Sequence, residues 1–173
     1  MKKIVSIRCL VFLLGFTVSG AWASPSLKVD VKIEGKADNK GSSTKTQSRI
    51  LNIAISNYGD DTVPDVKVNW WIFGHDMKDH KPIILKEGES KVVVPAKGEV
   101  KVVSPEVKVT GTREHKVSSR KGSGRSSRAT AKMIPASGQE YYGHAVEVYS
   151  GNTLIDAYYS KPSFEKDLHP KGD

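Results

Sequence analysis

The chain has 173 residues, with 27 Lys and Arg, 19 Asp and Glu and one cysteine, and its formal net charge is +8 at pH 7. A single cysteine excludes an intramolecular disulfide framework, so the fold must depend on a noncovalent core. Without its apolar N-terminal segment the chain is about 150 residues long, which suits one domain with a core of ordinary size.

Residues 1–23 are predicted to be a secretory signal peptide. The basic residues are Lys2, Lys3 and Arg8, and they precede an apolar run, Leu10–Val18. A small-x-small cleavage motif, Ala21–Ala23, follows the run. The apolar run is shorter than the ~20 residues that a membrane-spanning helix needs. We therefore expect a secreted or periplasmic protein that is cleaved near Ala23/Ser24 and has no transmembrane segment in its mature chain.

Alternating apolar and polar residues, the period of a strand with one face on a core, occur in Leu27–Ile33, Ile50–Ser56 and Val66–Phe73. Further segments rich in β-forming residues, with turn residues between them, are Pro82–Lys86, Lys91–Val94, Val100–Val103, Val107–Thr110, Tyr141–Tyr149 and Leu154–Tyr159. Their spacing and the turn residues between them predict an all-β protein, a single antiparallel sandwich of about seven to nine strands over residues 24–160. Residues 161–173, with two prolines and many charges, are expected to form a disordered tail.

The stretch SNYGDDTVPDVKVNWWIFG carries a family resemblance. A strand ends at Asn57-Tyr58-Gly59, and a Pro64-Asp65 turn leads into the strand Val66–Phe73. Together with the final hairpin, GHAVEVYSGNTLIDAYY, this pattern resembles bacterial immunoglobulin-like or fibronectin-III-like domains of the cell-adhesion-related type, over about Leu27 to Tyr159. The resemblance implies an immunoglobulin-like sandwich used for adhesion or scaffolding, and it supplies no catalytic residues.

The aromatic pair in the third segment is predicted to divide between the two faces of its strand. Trp70 shares the alternation of Val66, Val68 and Ile72 and is expected in the core, whereas Trp71 and Phe73 face the other way. Left uncovered, these two rings would form a contact surface for a sugar or a protein. A neighbouring loop or the N-terminal segment could instead cover them.

The segment KVSSRKGSGRSSRATAK, Lys116–Lys132, contains six cations and no acid, so it accounts for the positive charge of an otherwise nearly neutral mature chain. Its composition predicts a flexible loop over residues 112–134. The candidate contacts to a polyanion are Lys116, Arg120, Lys121, Arg125, Arg128 and Lys132. An acidic polysaccharide, the anionic envelope surface or an acidic protein would suit them, while specific nucleic-acid recognition is not expected without aromatic residues for stacking. A merely solvated loop is the alternative.

A second candidate site lies in GHDMKDH, where His75, Asp76, Asp79 and His80 supply imidazole and carboxylate groups within six residues. Such groups bind zinc and similar ions, so a small metal-binding protein or metal-dependent hydrolase is the alternative function. The same residue types are common in ordinary polar turns.

No catalytic motif accompanies these segments. The chain has no Gly-x-Ser-x-Gly elbow, no His-Glu-x-x-His pair and no phosphate-binding glycine loop before a helix. The sequence therefore favours a non-enzymatic binding or scaffolding domain without a cofactor, exported to the cell envelope or beyond it.

Overall fold

The computed structural model describes residues 26–39, 42–120 and 129–170, so the predicted signal peptide lies outside the described residues. These ranges contain ten strands and one short helix, and every strand pair is antiparallel. The elements are β1 (Leu27–Asp38), β2 (Thr44–Asn57), β3 (Val63–Asp76), β4 (Pro82–Val94), β5 (Glu99–Val103), β6 (Val107–Thr112), β7 (His115–Arg120), β8 (Ala129–Ile134), β9 (Ser137–Ser150), β10 (Thr153–Tyr159) and α1 (Ser163–Leu168).

Eight of these strands form an antiparallel β-sandwich, which confirms the predicted fold class. In one layer, β2 pairs with β1 along one edge and with β5 and β6 along the other. In the second layer, β9 pairs with β10 and β3, and β3 also pairs with β4. The layers join where the end of β6 meets the start of β9, through the pairs Gly111 with Gly138 and Thr112 with Ser137.

The core lies between the layers and consists mainly of alternate residues of β1, β2, β3, β6 and β9, with Val94 of β4 and Val102 of β5. The buried side chains of the three long central strands are Leu51, Ile53, Ile55, Val66, Val68, Trp70, Ile72, Val146 and Val148. Trp70 is 5% exposed, whereas Trp71 is partly exposed, so the predicted register of β3 is confirmed. The indole of Trp70 packs against β4 at Gly88, where any Cβ atom would collide with the ring.

The first two strands are longer than the alternation of apolar residues predicted. The pairing of β1 with β2 continues through Glu34–Asp38 and Thr46–Ile50, and the first half of β2 also pairs with β6. Hydroxyl groups meet across that second pair, with Thr44 Oγ1 3.0 Å from Thr112 Oγ1. Backbone pairing of these strands continues beyond the edge of the core, so the side chains in this part of the sheet need not alternate between polar and apolar.

The C-terminal segment also differs from the prediction. A disordered tail from residue 161 is wrong for Ser163–Leu168, which form α1 and bury Phe164 completely. The ring of Phe164 stacks on Phe73 of β3, with centroids 4.1 Å apart and an interplanar angle of 11°. A buried aromatic ring removes a large apolar area from water, so Phe164 is a main contact between this charged segment and the sandwich. No helix in the described ranges has the length and apolar character to cross a bilayer.

Candidate functional site

The basic segment forms an antiparallel hairpin, β7–β8, inserted between β6 and β9. Within the described ranges these two strands pair only with each other, from His115 with Ile134 to Arg120 with Ala129. We call this pair of strands the basic hairpin. Three of the predicted contact residues lie outside the described residues, namely Lys121, Arg125 and Arg128.

The hairpin corrects the prediction of a flexible loop over residues 112–134. That prediction is wrong for His115–Arg120 and Ala129–Ile134, which are strands, and Thr112 ends β6. Serine, alanine and lysine give these strands no apolar alternation, and this alternation was the signal used to predict strands. Backbone hydrogen bonds between two adjacent strands nonetheless satisfy their polar groups without any contribution from a core.

The root of the hairpin is fixed to the sandwich, while the rest of it extends away. The amide of Arg113 donates a hydrogen bond to the carbonyl of Ser43 at 2.9 Å, directly after the last sandwich pair, Thr112 with Ser137. Further along, the side chains whose exposure is described are exposed on both strands, except for the partly buried His115 and Ile134 at the root. The sandwich therefore presents the basic hairpin to solvent.

Each face of the hairpin carries one ammonium group beside one apolar side chain. Lys116 pairs with Met133 on one face, and Val117 pairs with Lys132 on the other. Directly opposed residues have Cβ atoms about 4.5–5.5 Å apart, so each lysine lies against its apolar neighbour. Both lysines are exposed, and Val117 and Met133 are 43% and 53% exposed.

The β3–β4 turn, which contains Asp79 and His80, is held beside the root of the hairpin, while the other two candidate metal ligands, His75 and Asp76, are the last residues of β3. The amide of Met77 donates to the carbonyl of Gly138 at 2.9 Å. A Cβ atom at Gly111 would meet the Met77 side chain, so the glycine allows the turn to approach β6 closely.

The four candidate metal ligands do not converge on one point. Asp76 Oδ1 accepts a hydrogen bond from the amide of Lys78 at 2.7 Å, and Asp79 Oδ1 accepts one from the amide of Lys81 at 3.2 Å. The rings of His75 and His80 are tilted, with centroids 5.6 Å apart. No set of three or more His, Cys, Asp or Glu residues suited to a metal ion occurs in the part of the chain that the structure describes. The two carboxylates stabilise the turn instead.

An acidic residue near the root is neutralised within the molecule. Glu140 Oε1 accepts a hydrogen bond from Lys45 Nζ at 2.6 Å, and His75 Nε2 lies 3.9 Å from the other carboxylate oxygen. The hydrogen bond from Lys45, with further attraction to Lys45, Arg113 and His75, holds the pKa of Glu140 below its usual range despite partial burial. This carboxylate therefore stays charged and is paired with Lys45 rather than with the cations of the basic hairpin.

The predicted aromatic contact surface on the outer face of β3 is largely covered. Phe73 is buried under α1 and stacks on Phe164, so a role for Phe73 in binding a partner is wrong. Trp71 packs against the same cluster and stays partly exposed. The cover comes from the C-terminal helix rather than from a loop or the N-terminal segment, because α1 carries an aromatic side chain that fits over β3.

Beneath the same C-terminal segment lies a buried carboxylate that sequence reasoning missed. Glu147 is 1% exposed and accepts hydrogen bonds from Tyr149 Oη, Tyr159 Oη and His169 Nε2, at 2.6, 2.7 and 2.6 Å. Burial alone raises the pKa of Glu147, but these three hydrogen bonds outweigh it and lower the pKa. The only available signal was a charged residue between Val146 and Val148, which is also the normal pattern of a solvent-facing position. We interpret the group as an anchor for the C-terminal segment.

A second polar pair on β9 joins the partly buried Tyr141 to the buried His144. Tyr141 Oη is 2.7 Å from His144 Nδ1, and the guanidinium of Arg49 lies 5.0 Å from the centre of the Tyr141 ring. Burial raises the pKa of Tyr141 to about 12 and lowers that of His144. Both groups are therefore neutral at pH 7, as a pair within a packed sheet should be.

A groove lies on the outer face of the first layer, along β2. It has a volume of about 510 Å³, and its charged lining residues alternate in sign: Asp30, Lys32, Glu34, Glu99 and Lys101. Opposite charges so close together cancel at a distance. The groove is therefore a poor match for a polyanion, in contrast to the basic hairpin.

Comparisons with known proteins give no family. No family model matches the chain, and no curated protein matches it. Among solved structures, a β-glucuronidase from glycoside hydrolase family 2 is 12% identical, with a TM-score of 0.36 over 73% of this chain and 10% of that enzyme. Target SoR45 of the Northeast Structural Genomics Consortium is 13% identical, with a TM-score of 0.35 over 86% of this chain and 94% of that one. Similarities this low indicate nothing about function, so the sandwich is assigned from its own strands.

Proposed function

We propose that this chain is an exported, non-enzymatic binding or scaffolding domain that contacts a polyanionic partner through the basic hairpin. The observation that carries the proposal is the position of the hairpin, which extends from the sandwich with Lys116 and Lys132 exposed. In this proposal the sandwich is an immunoglobulin-like support that presents the hairpin.

The distribution of charge supports this site over the other surfaces. The segment Lys116–Lys132 has six cations and no acid, whereas the remaining mature chain is close to neutral. A polyanion bound to such a segment releases its counterions, which gives affinity without requiring a shaped pocket.

The partner classes that fit are an acidic polysaccharide, the anionic envelope surface and an acidic protein. The segment Lys116–Lys132 contains no aromatic residue that could stack on a base, which disfavours recognition of single-stranded nucleic acid. Recognition by charge alone is the common feature of the three remaining classes.

Retention on a heparin-like column tests the proposal. A variant with Ser at Arg120, Lys121, Arg125 and Arg128 should elute at clearly lower salt than the unmodified mature protein, because fewer cations contact the matrix. A matched control replaces four exposed lysines of the first layer by Ser, at Lys28, Lys32, Lys36 and Lys101, and changes the net charge equally. Equal elution of the unmodified protein and the hairpin variant would contradict the proposal, as would an equal shift in the two variants.

A further inference from the structure

Two buried titratable side chains of β9 are covered by the same short piece of chain. Tyr158, near the end of β10, stacks on the ring of His144 with centroids 5.4 Å apart and an interplanar angle of 17°. The next residue, Tyr159, donates a hydrogen bond to Glu147 at 2.7 Å. Consecutive strand residues point to opposite faces of a sheet, so the end of β10 holds β9 from both faces.

We propose that residues 158–169, which we call the C-terminal cover, are released by acid as His144 and then Glu147 take up protons. In the closed form the cover places Phe164 on Phe73. In the open form it leaves the outer face of β3 in contact with solvent. This switch belongs to the sandwich and is independent of the basic hairpin.

His144 lies in surroundings that suit only the neutral imidazole. Its Nδ1 is 2.7 Å from Tyr141 Oη, but its buried Nε2 has no hydrogen-bond partner among the described residues. A protonated ring donates from both nitrogens and so needs two acceptors. The guanidinium of Arg49, 5.0 Å from the centre of the Tyr141 ring, would repel an added positive charge. Burial accordingly lowers the pKa of His144, so acid favours a form in which this ring reaches water.

The C-terminal cover is in direct contact with His144. Besides the stacked ring of Tyr158, the amide of His144 donates to Ser160 Oγ at 2.8 Å, and its carbonyl accepts from the amide of Ser160 at 2.9 Å. Ser160 follows the last residue of β10 and leads into α1. Detachment of Tyr158 and Ser160 would open the imidazole to water, which couples proton uptake to the opening.

Glu147 supplies a second step at lower pH. Its carboxylate accepts hydrogen bonds from Tyr159 and His169 of the cover, and from Tyr149 of β9 itself. Protonation replaces these charge-assisted bonds by weaker neutral ones. Glu165 of α1 also acts on Tyr159, but its own side chain is exposed and therefore screened by salt.

Both groups favour opening in acid. Because the folded pKa of His144 is lowered, the closed form loses stability as pH falls below the ordinary value of 6.5. The folded pKa of Glu147 is also lowered, so its contribution is complete above 4.5 and is lost as pH falls through the folded value. Opening should therefore begin between pH 6.5 and 4.5, before the carboxylate titrates.

Hydrogen exchange with mass spectrometry tests the switch, at pH 7 and pH 5.5, with intrinsic exchange rates corrected for pH. The variant His144→Phe keeps a ring beneath Tyr158 but takes up no proton, and His144→Gln, which keeps a polar group for Tyr141, is measured beside it. The matched control is His80→Asn, because His80 is exposed and its positive φ of 58° suits asparagine. Melting temperatures at pH 7 close to that of the unmodified chain identify the folded variants.

In the unmodified mature chain, the opening constant of residues 158–169 should rise several-fold from pH 7 to pH 5.5. The rise is limited to about tenfold, because a free imidazole with the ordinary pKa of 6.5 is protonated about ten to one at pH 5.5. The His80→Asn control should show the same rise, and both His144 variants should show none. Glu147→Gln should open the cover already at pH 7, since its hydrogen bonds are weakened.

Equal protection of residues 158–169 at the two pH values in the unmodified chain would overturn the inference, whatever the variants do. A rise that persists in a folded His144 variant would overturn the assignment of His144 as the acid-sensitive group. Loss of protection throughout β2 and β3 in step with the cover would also overturn it, because the whole sandwich would then be unfolding.

Discussion

At the residue scale, Trp70 and Trp71 are neighbours with opposite roles. Trp70 fills the core against Gly88, and its replacement by alanine should cost about 3–5 kcal/mol of unfolding free energy, the usual range for emptying a large core site. Trp71→Ala should cost about 1–2 kcal/mol, since that ring is only partly buried. Urea unfolding of both variants measures the difference. A reversed order of the two losses would show that the register of β3 is wrong.

Glu147 should give the fold a measurable dependence on pH. Its pKa in the folded chain lies below the ordinary value of 4.5, so its contribution to stability is present above that value and is lost as pH falls through the folded pKa. Glu147→Gln should destabilise the protein by about 1–3 kcal/mol at pH 7, because charged hydrogen bonds from three donors are weakened. The difference between the two proteins should shrink as pH falls below 4.5.

The control for that experiment is Glu89→Gln, on the exposed side of β4. It should change stability by less than about 0.5 kcal/mol at any pH, as a surface substitution normally does. A Glu147→Gln difference that stays constant from pH 7 to pH 3 would contradict the assignment of a charged, hydrogen-bonded carboxylate.

Trp70, Phe73 and Glu147 show which buried side chains could be predicted from the sequence. The position of Trp70 followed from alternation, because local period determines which face of a strand meets a core. The burial of Phe73 and Glu147 did not follow, because both are covered by the C-terminal segment, through Phe164 over Phe73 and His169 beside Glu147. Contacts of that kind leave no periodic signal.

At the scale of elements, α1 should behave as a local unit. Its attachment depends on Phe164 over Phe73 and on His169 with Glu147. Phe164→Ala should release residues 161–170, so that their amides exchange rapidly with solvent while the strands stay protected. Hydrogen exchange with mass spectrometry measures both regions. Loss of protection throughout β3 and β9 would show instead that α1 is part of the global fold.

The basic hairpin should be dispensable for folding. Thr112 and Ser137 are already cross-strand partners, so an Asn-Gly turn can join them directly in place of residues 113–136. The melting temperature of this hairpinless chain should stay within about 4 °C of the unmodified protein, because the removed segment shares no core and loop length has a weak effect on stability. A large fall would show that the hairpin supports the sandwich.

Prediction of the elements succeeded where a core imposes a period. Alternation located β1, the second half of β2 and β3, while β-rich composition and turn residues located the other sandwich strands, with β4 predicted as two segments, Pro82–Lys86 and Lys91–Val94. The turn of the β9–β10 hairpin lies at Gly151, which adopts a positive φ of 59°. The hairpin β7–β8 and the first half of β2 were missed, since both pair through the backbone with polar side chains. The cation composition of the hairpin was visible in the sequence, but its pairing of lysines with Val117 and Met133 required the register.

At the scale of the whole molecule, the proposal rests on a separation of roles between a nearly neutral sandwich and a projecting basic hairpin. Charges on the sandwich lie in close pairs of opposite sign, such as Lys45 with Glu140 and Lys97 with Asp60, both at 2.6 Å. Pairs of this kind cancel beyond the Debye length of about 8 Å at physiological ionic strength. The excess positive charge lies in the segment Lys116–Lys132, which includes both strands of the hairpin, so attraction to a distant polyanion is expected from this segment.

The most direct test is the affinity for heparin of the mature chain and of the hairpinless chain, measured by titration from 50 to 300 mM NaCl. The mature chain should bind, with log K falling linearly against log salt as counterions are released. The hairpinless chain should retain little affinity at any salt concentration. Equal affinity and equal salt dependence of the two chains would contradict the central claim that this protein contacts its partner through the basic hairpin.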